Sequence, residues 1–213
     1  MSSHSRLRNG KDEERFHAMP TFELRREMQN PERIPAQIEV RAGLVVADLG
    51  CGNGFFTVPF AKAVGESGKV YAIDHDSRML QDLRENLKQY GVDESRVVAM
   101  EADVARTTLP DASVDVAFFA NVLHDIRDKS AFLGEVARIV KAGGIAVDID
   151  WKKEDSAFGP PSEIRLTEVE SRHILAENGF EVLRRVDAGP YHYGLLCMQV
   201  PRTVPNSRVS HAS

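Results

Sequence analysis

Asp48-Leu49-Gly50-Cys51-Gly52-Asn53-Gly54 sets an acid before three glycines at alternate positions, at the end of a short apolar run. Glycines at such a point let a chain turn sharply and bring its backbone against a bound molecule. The helix that follows adds the positive end of its dipole and free N–H groups. A second acid, Asp74, stands 20 residues after Gly54 at the end of the next apolar run. A carboxylate there can accept hydrogen bonds from both hydroxyls of a ribose. A dinucleotide-binding turn reads G-x-G-x-x-G and a P-loop carries a lysine, whereas this turn reads G-x-G-x-G behind an acid. Asp48 repels phosphates and suits a cationic nucleotide that lacks them. The alternative is a tight turn with no ligand.

The apolar pattern indicates the elements that must position these residues. Residues 44–49 form a nearly continuous β-branched run, which suits a strand buried on both faces. Helical spacing over 55–64 follows, then a strand at 70–73 and a helix to about residue 90 with Ser77 as its N-cap. Further strands are expected at 97–100 and 114–119, a helix at 129–140, and a strand at 145–149 entered through Gly143-Gly144. Residues 151–166 show little periodicity, and a loop that long is more often functional than idle. Thr167 and Glu170 have capping-box spacing for a helix to about residue 178. Strands at 180–186 and 194–200 then succeed one another as an antiparallel pair. Repeated β–α alternation ending in β–β implies an α/β sandwich, its sheet mostly parallel and its helices on both faces.

The 213 residues hold 27 basic and 32 acidic side chains, a net charge of −5, which argues against retention on nucleic acid by bulk charge. No apolar run approaches the roughly 20 residues of a membrane span, and the first 15 residues lack the apolar core of a secretory signal. Two cysteines, Cys51 and Cys197, exclude a disulfide scaffold and a cysteine-rich zinc site. The expected compartment is the cytoplasm. Residues 1–14 read as a disordered tail, 15–39 as a cap or lid, 40–201 as the domain and 202–213 as a second tail.

Four segments in order carry a family resemblance: VVADLGCGNGFFTVPFA, VYAIDHDSRML, EADV and VDVAFFANVLHDI. They resemble the successive motifs of class I S-adenosylmethionine-dependent methyltransferases, within them the small-molecule branch of ubiquinone/menaquinone-biosynthesis type. The resemblance spans roughly residues 40–200. It implies a Rossmann-like three-layer sandwich with a seven-stranded sheet whose final strand is antiparallel. It also implies a cofactor site for S-adenosylmethionine, with S-adenosylhomocysteine as product. Gly50, Gly52 and Gly54 then make room for the cofactor, with Cys51, Phe55 and Phe56 in or beside the loop, and Asp48 lies behind the methionine amine. Asp74 holds the ribose, His75 and Met79 border the adenine, Asp103 and the Val104 backbone meet its edge, and Asn121 lies under the methionine moiety.

On the acceptor side, His124 follows the fourth strand, where a His-Asp sequence resembles the base position of small-molecule O-methyltransferases. It is either a base, for which imidazole is suited near neutrality, or a pocket-lining or helix-capping residue. Asp150 either contacts the acceptor and takes part in catalysis or caps a turn. Trp151, Tyr191 and His192 are candidate substrate contacts, and each has a packing alternative. Strand alternation sends Tyr191 and Tyr193 away from the side that His192 faces. His17, Met19 and Phe22 belong to the segment that either folds over the pocket or covers the sheet. No metal site is expected.

The expected partner is a small-molecule acceptor, with no nucleic acid and no membrane, and with monomer and homodimer both open. Amino-methylating nucleic-acid enzymes carry an Asn/Asp-Pro-Pro-aromatic motif after the fourth strand, and here the segment reads Asn121-Val122-Leu123-His124. An RNA methyltransferase and a non-catalytic S-adenosylmethionine-binding protein are the alternatives.

Overall fold

Seven strands form one sheet in the order β3-β2-β1-β4-β5-β7-β6. The computed structural model describes residues 22–200. The strands are β1 (Val45–Leu49), β2 (Lys69–Asp74), β3 (Val97–Glu101), β4 (Val114–Ala120), β5 (Val140–Trp151), β6 (Phe180–Val186) and β7 (His192–Gln199). The first five pair in parallel, and β7 runs antiparallel between β5 and β6. The helices are α1 (Phe22–Gln29), α2 (Ile34–Gln37), α3 (Thr57–Val64), α4 (Ser77–Gln89), α5 (Lys129–Ile139) and α6 (Glu168–Glu177).

Alternation along each buried strand divides the core in two. Val46, Phe118, Val147 and Ile149 meet Phe60 of α3 and Leu83 of α4 on one face. Ala47, Leu49, Ala117 and Phe119 meet Phe132 and Val136 of α5 and Leu175 of α6 on the other. Removing one of the fully buried phenylalanines, Phe118 for example, costs about 3–5 kcal/mol. The sheet order reverses between β1 and β4, and a crevice opens at such a switch point at the carboxyl ends of the strands. The turn after β1, the end of β2 and the turn after β4 converge there.

Several boundaries depart from the sequence-based expectation, and three bear on the site. The N-cap of α4 is Asp76, whose carboxylate accepts from Arg78 N at 2.9 Å, and not Ser77. An Asx side chain with extended backbone satisfies the orphan N–H better than the serine after it. β5 begins at Val140, because Val140 already pairs with Val114 and the glycines are absorbed as a register irregularity within the strand. β7 begins at His192, paired with Trp151, which places His192 and Tyr193 inside the strand. The tails and two of the lid candidates, His17 and Met19, lie outside the described residues, and Phe22 is the first residue of α1.

Candidate functional site at the carboxyl edge of the sheet

The turn after β1 is tied to its neighbour strand. Gly50 N and Cys51 N both donate to Ile73 O, at 2.8 and 3.0 Å, and Gly54 N donates to Cys51 O at 3.0 Å. Gly50 has φ of +75°, and a Cβ there would lie 2.5 Å from Cγ2 of Val122. Only glycine fits that contact without displacing the turn after β4. Gly52 differs: its φ is +53°, yet a Cβ would meet nothing within 4 Å. The side of the loop at Gly52 faces open space. Its N–H donates to Asp74 Oδ2 at 2.8 Å, while Asp74 Oδ1 accepts from Asp76 N at 2.9 Å. Each carboxylate oxygen keeps acceptor capacity, since each can take two hydrogen bonds.

Asp48 lies behind the loop, 2 % exposed, and accepts from Thr57 Oγ1 at 2.5 Å. Burial raises its carboxyl to about 7; the Thr57 bond opposes this and the charge of Asp74 adds to it. The Cys51, Phe55 and Phe56 side chains turn into the core, Phe55 and Phe56 edge to face at 4.9 Å, so their side chains pack the loop from behind. Thr57 carried no signal in the sequence: it stands nine residues from the acid it serves and opens an apolar helix.

On the other side of Asp74, His75 projects outward with its side chain 88 % exposed and its Nδ1 3.6 Å from Asp74 Oδ1. Met79 is half-buried on α4. Asp103 is exposed, and its Oδ1 accepts from Ala105 N at 2.8 Å, which leaves Oδ2 unengaged among the described residues. Val104 packs its side chain against the α5-side core.

The turn after β4 holds two unusual residues. Asn121 has φ of +60°, rare for a residue with a Cβ. Its N–H donates to Ile149 O at 2.7 Å, and its buried Oδ1 has no hydrogen-bond partner among the described residues. Asparagine tolerates this conformation better than most residues, and a buried amide oxygen without a partner is an exception in folded proteins. His124 then meets Asp150, which is fully buried. Nδ1 of the ring lies 2.7 Å from Oδ1, and the backbone N–H donates to Oδ2 at 3.1 Å. Burial disfavours the imidazolium, but the bond and charge of Asp150, then the charge of Asp125, outweigh it and raise the ring above its usual value. Asp150 is thus closed off from any acceptor and acts on the imidazole. The sequence placed both residues at this edge without linking them.

Trp151 is sealed in place. His192 lies against it with ring centroids 4.0 Å apart, the Arg165 guanidinium is 5.3 Å from its ring centroid, and a Cβ on Gly159 would lie 2.8 Å from it. Packing, not ligand stacking, is its role in this arrangement. Tyr191 precedes β7, with its ring 6.2 Å from Phe158, and Tyr193 turns to the opposite face from His192. Arg165, unflagged by the sequence, is 2 % exposed and organises the loop after β5. It donates to the carbonyls of Pro160, Lys152, Glu154 and Phe158 and to Ser156 Oγ. All but one of its partners are backbone atoms, which no residue pattern announces.

Residues 41–180 match the family described as "Methyltransferase domain", and the chain belongs to that family. It is 33% identical over 154 residues to the ubiquinone/menaquinone biosynthesis C-methyltransferase UbiE of Cronobacter sakazakii, a match covering 72% of this chain and 59% of that one. The chain thus spans well under two thirds of that relative. Among solved structures, it resembles a SAM-dependent methyltransferase from Aquifex aeolicus, with TM-score 0.77 and 35% identity, over 83% of this chain and 93% of the other. A putative type 11 methyltransferase from Sulfolobus solfataricus matches with TM-score 0.67 and 31% identity, over 87% and 99% of the two chains. Among the described residues, no helix is long and apolar enough to cross a membrane.

Proposed function

We propose that the protein transfers the methyl group of S-adenosylmethionine to a small-molecule acceptor, leaving S-adenosylhomocysteine. The observation that carries this is the Asp74 carboxylate bound to Gly52 N at 2.8 Å beside a loop face that is open at Gly52. The residues fit the cofactor. Asp74 keeps acceptor capacity for two ribose hydroxyls, the free Oδ2 of Asp103 suits the adenine amino group, and Val104 offers its backbone. His75 and Met79 flank the adenine. The orphaned Oδ1 of Asn121 accepts from the methionine ammonium, and Asp48 supplies negative charge behind it. Bound S-adenosylmethionine supplies an electrophilic methyl on a sulfonium.

The chain's own contribution is to hold the acceptor in line and to exclude water, which alone supplies much of the rate. Where the acceptor must lose a proton, His124 takes it on Nε2, because Asp150 holds the other nitrogen as the N–H donor. The described part of the segment at 15–39 acts as a cap on the acceptor side, a reading supported by Arg25 of α1, 4.2 Å from the Phe55 ring centroid. Two free, buried thiols fit a cytoplasmic setting. The test is a screen of metabolite pools for S-adenosylhomocysteine release, with mass detection of a gain of one methyl. No release from any pool by protein that binds S-adenosylhomocysteine favours the non-catalytic alternative.

A further inference from the structure

His192 is 3 % exposed, and neither of its ring nitrogens has a hydrogen-bond partner among the described residues. Buried polar groups are ordinarily paired, so an imidazole unpaired at both nitrogens beside a ligand edge points to a partner that arrives with the ligand. Burial and then the charges of Arg25, Arg165, Lys152 and His124 hold the ring neutral, pushing it down to about 3. Four cationic or potentially cationic groups therefore act on it electrostatically in a chain whose net charge is −5.

Three of the four are engaged. Arg165 spends its guanidinium on the loop after β5. Lys152 Nζ donates to Pro190 O at 2.8 Å, and His124 is held by Asp150. Arg25 makes no hydrogen bond or ion pair among the described residues; its guanidinium lies over the Phe55 ring, 4.2 Å from the centroid, at the end of the glycine turn. The same helix is anchored next to β7, where Gly189 comes so close to Met28 that a Cβ would overlap the Met28 carbonyl. α1 thus spans from the glycine turn to the approach of β7 and carries between them a half-buried cation with no ion-pair partner among the described residues.

We infer that Arg25 and His192 together bind the charged group of an acceptor that is a small organic monoanion, a carboxylate. Arg25 offers a planar fork that matches a carboxylate, and the neutral imidazole adds a donor without adding charge. One cation matches one negative charge. The inference deepens the methyltransferase reading and rests on it.

The test uses the full chain and its one tryptophan, Trp151, which touches His192 and reports on it by fluorescence. Protein saturated with S-adenosylhomocysteine is titrated at constant ionic strength with benzoate, 4-hydroxybenzoate and 3-phenylpropanoate, and with the corresponding primary amides. At least one carboxylate is expected to change the fluorescence saturably, with its amide at least tenfold weaker. Arg25→Met should weaken that carboxylate at least tenfold and Arg25→Lys should restore part of the loss, with S-adenosylhomocysteine affinity unchanged in both. If Arg25→Met fails to fold, His192→Phe with the same titration serves in its place. Equal affinity for acid and amide, no response to any acid, or an Arg25→Met variant that binds the acid as well as wild type overturns the inference and leaves the methyltransferase reading standing. Failure of the wild-type protein to bind S-adenosylhomocysteine overturns both.

Discussion

One carboxylate holds both the ring and the backbone of His124: Asp150 Oδ1 lies 2.7 Å from Nδ1, and Oδ2 accepts from the backbone N–H at 3.1 Å. The imidazole therefore cannot turn without costing a fully buried carboxylate its one side-chain partner, leaving it only the backbone N–H groups of His124 and of Trp151, the latter at 2.8 Å. Losing a hydrogen bond to a buried charged group costs about 1–3 kcal/mol. An orienting acid of this kind leaves Nε2 as the nitrogen that takes a proton.

His124→Gln should reduce kcat by roughly 10²–10⁴-fold for an acceptor that must be deprotonated, with S-adenosylhomocysteine affinity retained. The pH profile carries the same claim. The ring is raised above its usual value, so the neutral, competent form accumulates only as pH rises through that raised value. Turnover should climb with pH across that range in wild type, and the climb should be absent from His124→Gln. Steady-state kinetics across pH on both proteins decides it.

Asp48 should couple cofactor binding to protons. Its carboxyl is raised to about 7, so in the free protein it is largely protonated below that pH. A cationic ligand favours the ionised form, so binding below pH 7 must expel a proton. Affinity for S-adenosylmethionine should rise between roughly pH 6 and 8, by up to about tenfold per unit on the acid side. Calorimetry in two buffers of different ionisation heat should detect the proton, and Asp48→Asn should abolish the dependence. Stability has the opposite sign: Asp48's contribution is full below the ordinary carboxylate range and is lost as pH rises through about 7.

Arg165→Met should loosen the loop after β5 without touching the cofactor side. It leaves the carbonyls of Lys152, Glu154, Pro160 and Phe158 without their shared donor. The loss should be about 3–5 kcal/mol, or a fall in Tm of roughly 6–20 °C. Hydrogen exchange should rise over 152–166 and little elsewhere.

The two central glycines should fail differently. Gly50→Ala drives a Cβ to 2.5 Å from Val122 in a left-handed conformation, and should cost about 2–5 kcal/mol in chemical denaturation. Gly52→Ala meets nothing within 4 Å, so the fold should lose only about 1 kcal/mol of backbone strain. Its methyl projects into the space assigned to the cofactor, and calorimetry should find S-adenosylhomocysteine affinity at least tenfold lower.

The cofactor half of the site was legible because strand–turn–helix geometry brings Asp74 back beside the glycine turn after one crossover, whatever the intervening side chains. The order of strands and the capping box at Thr167 and Glu170 were legible for the same reason: they rest on local periodicity and fixed offsets. What escaped depends on contacts between distant residues. Arg165 bonds to backbone carbonyls, Thr57 to an acid on the preceding strand, and Arg25 owes its importance to having no partner among the described residues. Asp150 and Trp151 were visible as residues at the active edge, but not that Asp150 spends its oxygens on His124 and the Trp151 N–H or that the Trp151 ring is covered by His192, Arg165 and Gly159.

The central claim is that the turn after β1 and Asp74 hold S-adenosylmethionine by its ribose. Calorimetric titration of the wild-type protein and of Asp74→Asn with S-adenosylhomocysteine, and of the wild type with NAD, tests it most directly. Asp74 takes its two backbone bonds, at 2.8 and 2.9 Å, on different oxygens, so the asparagine, with one carbonyl oxygen and an NH2 that only donates, keeps one of them and cannot accept from both hydroxyls. The account predicts saturable binding of S-adenosylhomocysteine to wild type, at least tenfold loss in a folded Asp74→Asn, and no binding of NAD. Unchanged affinity in the variant, or binding of NAD in place of S-adenosylhomocysteine, contradicts it.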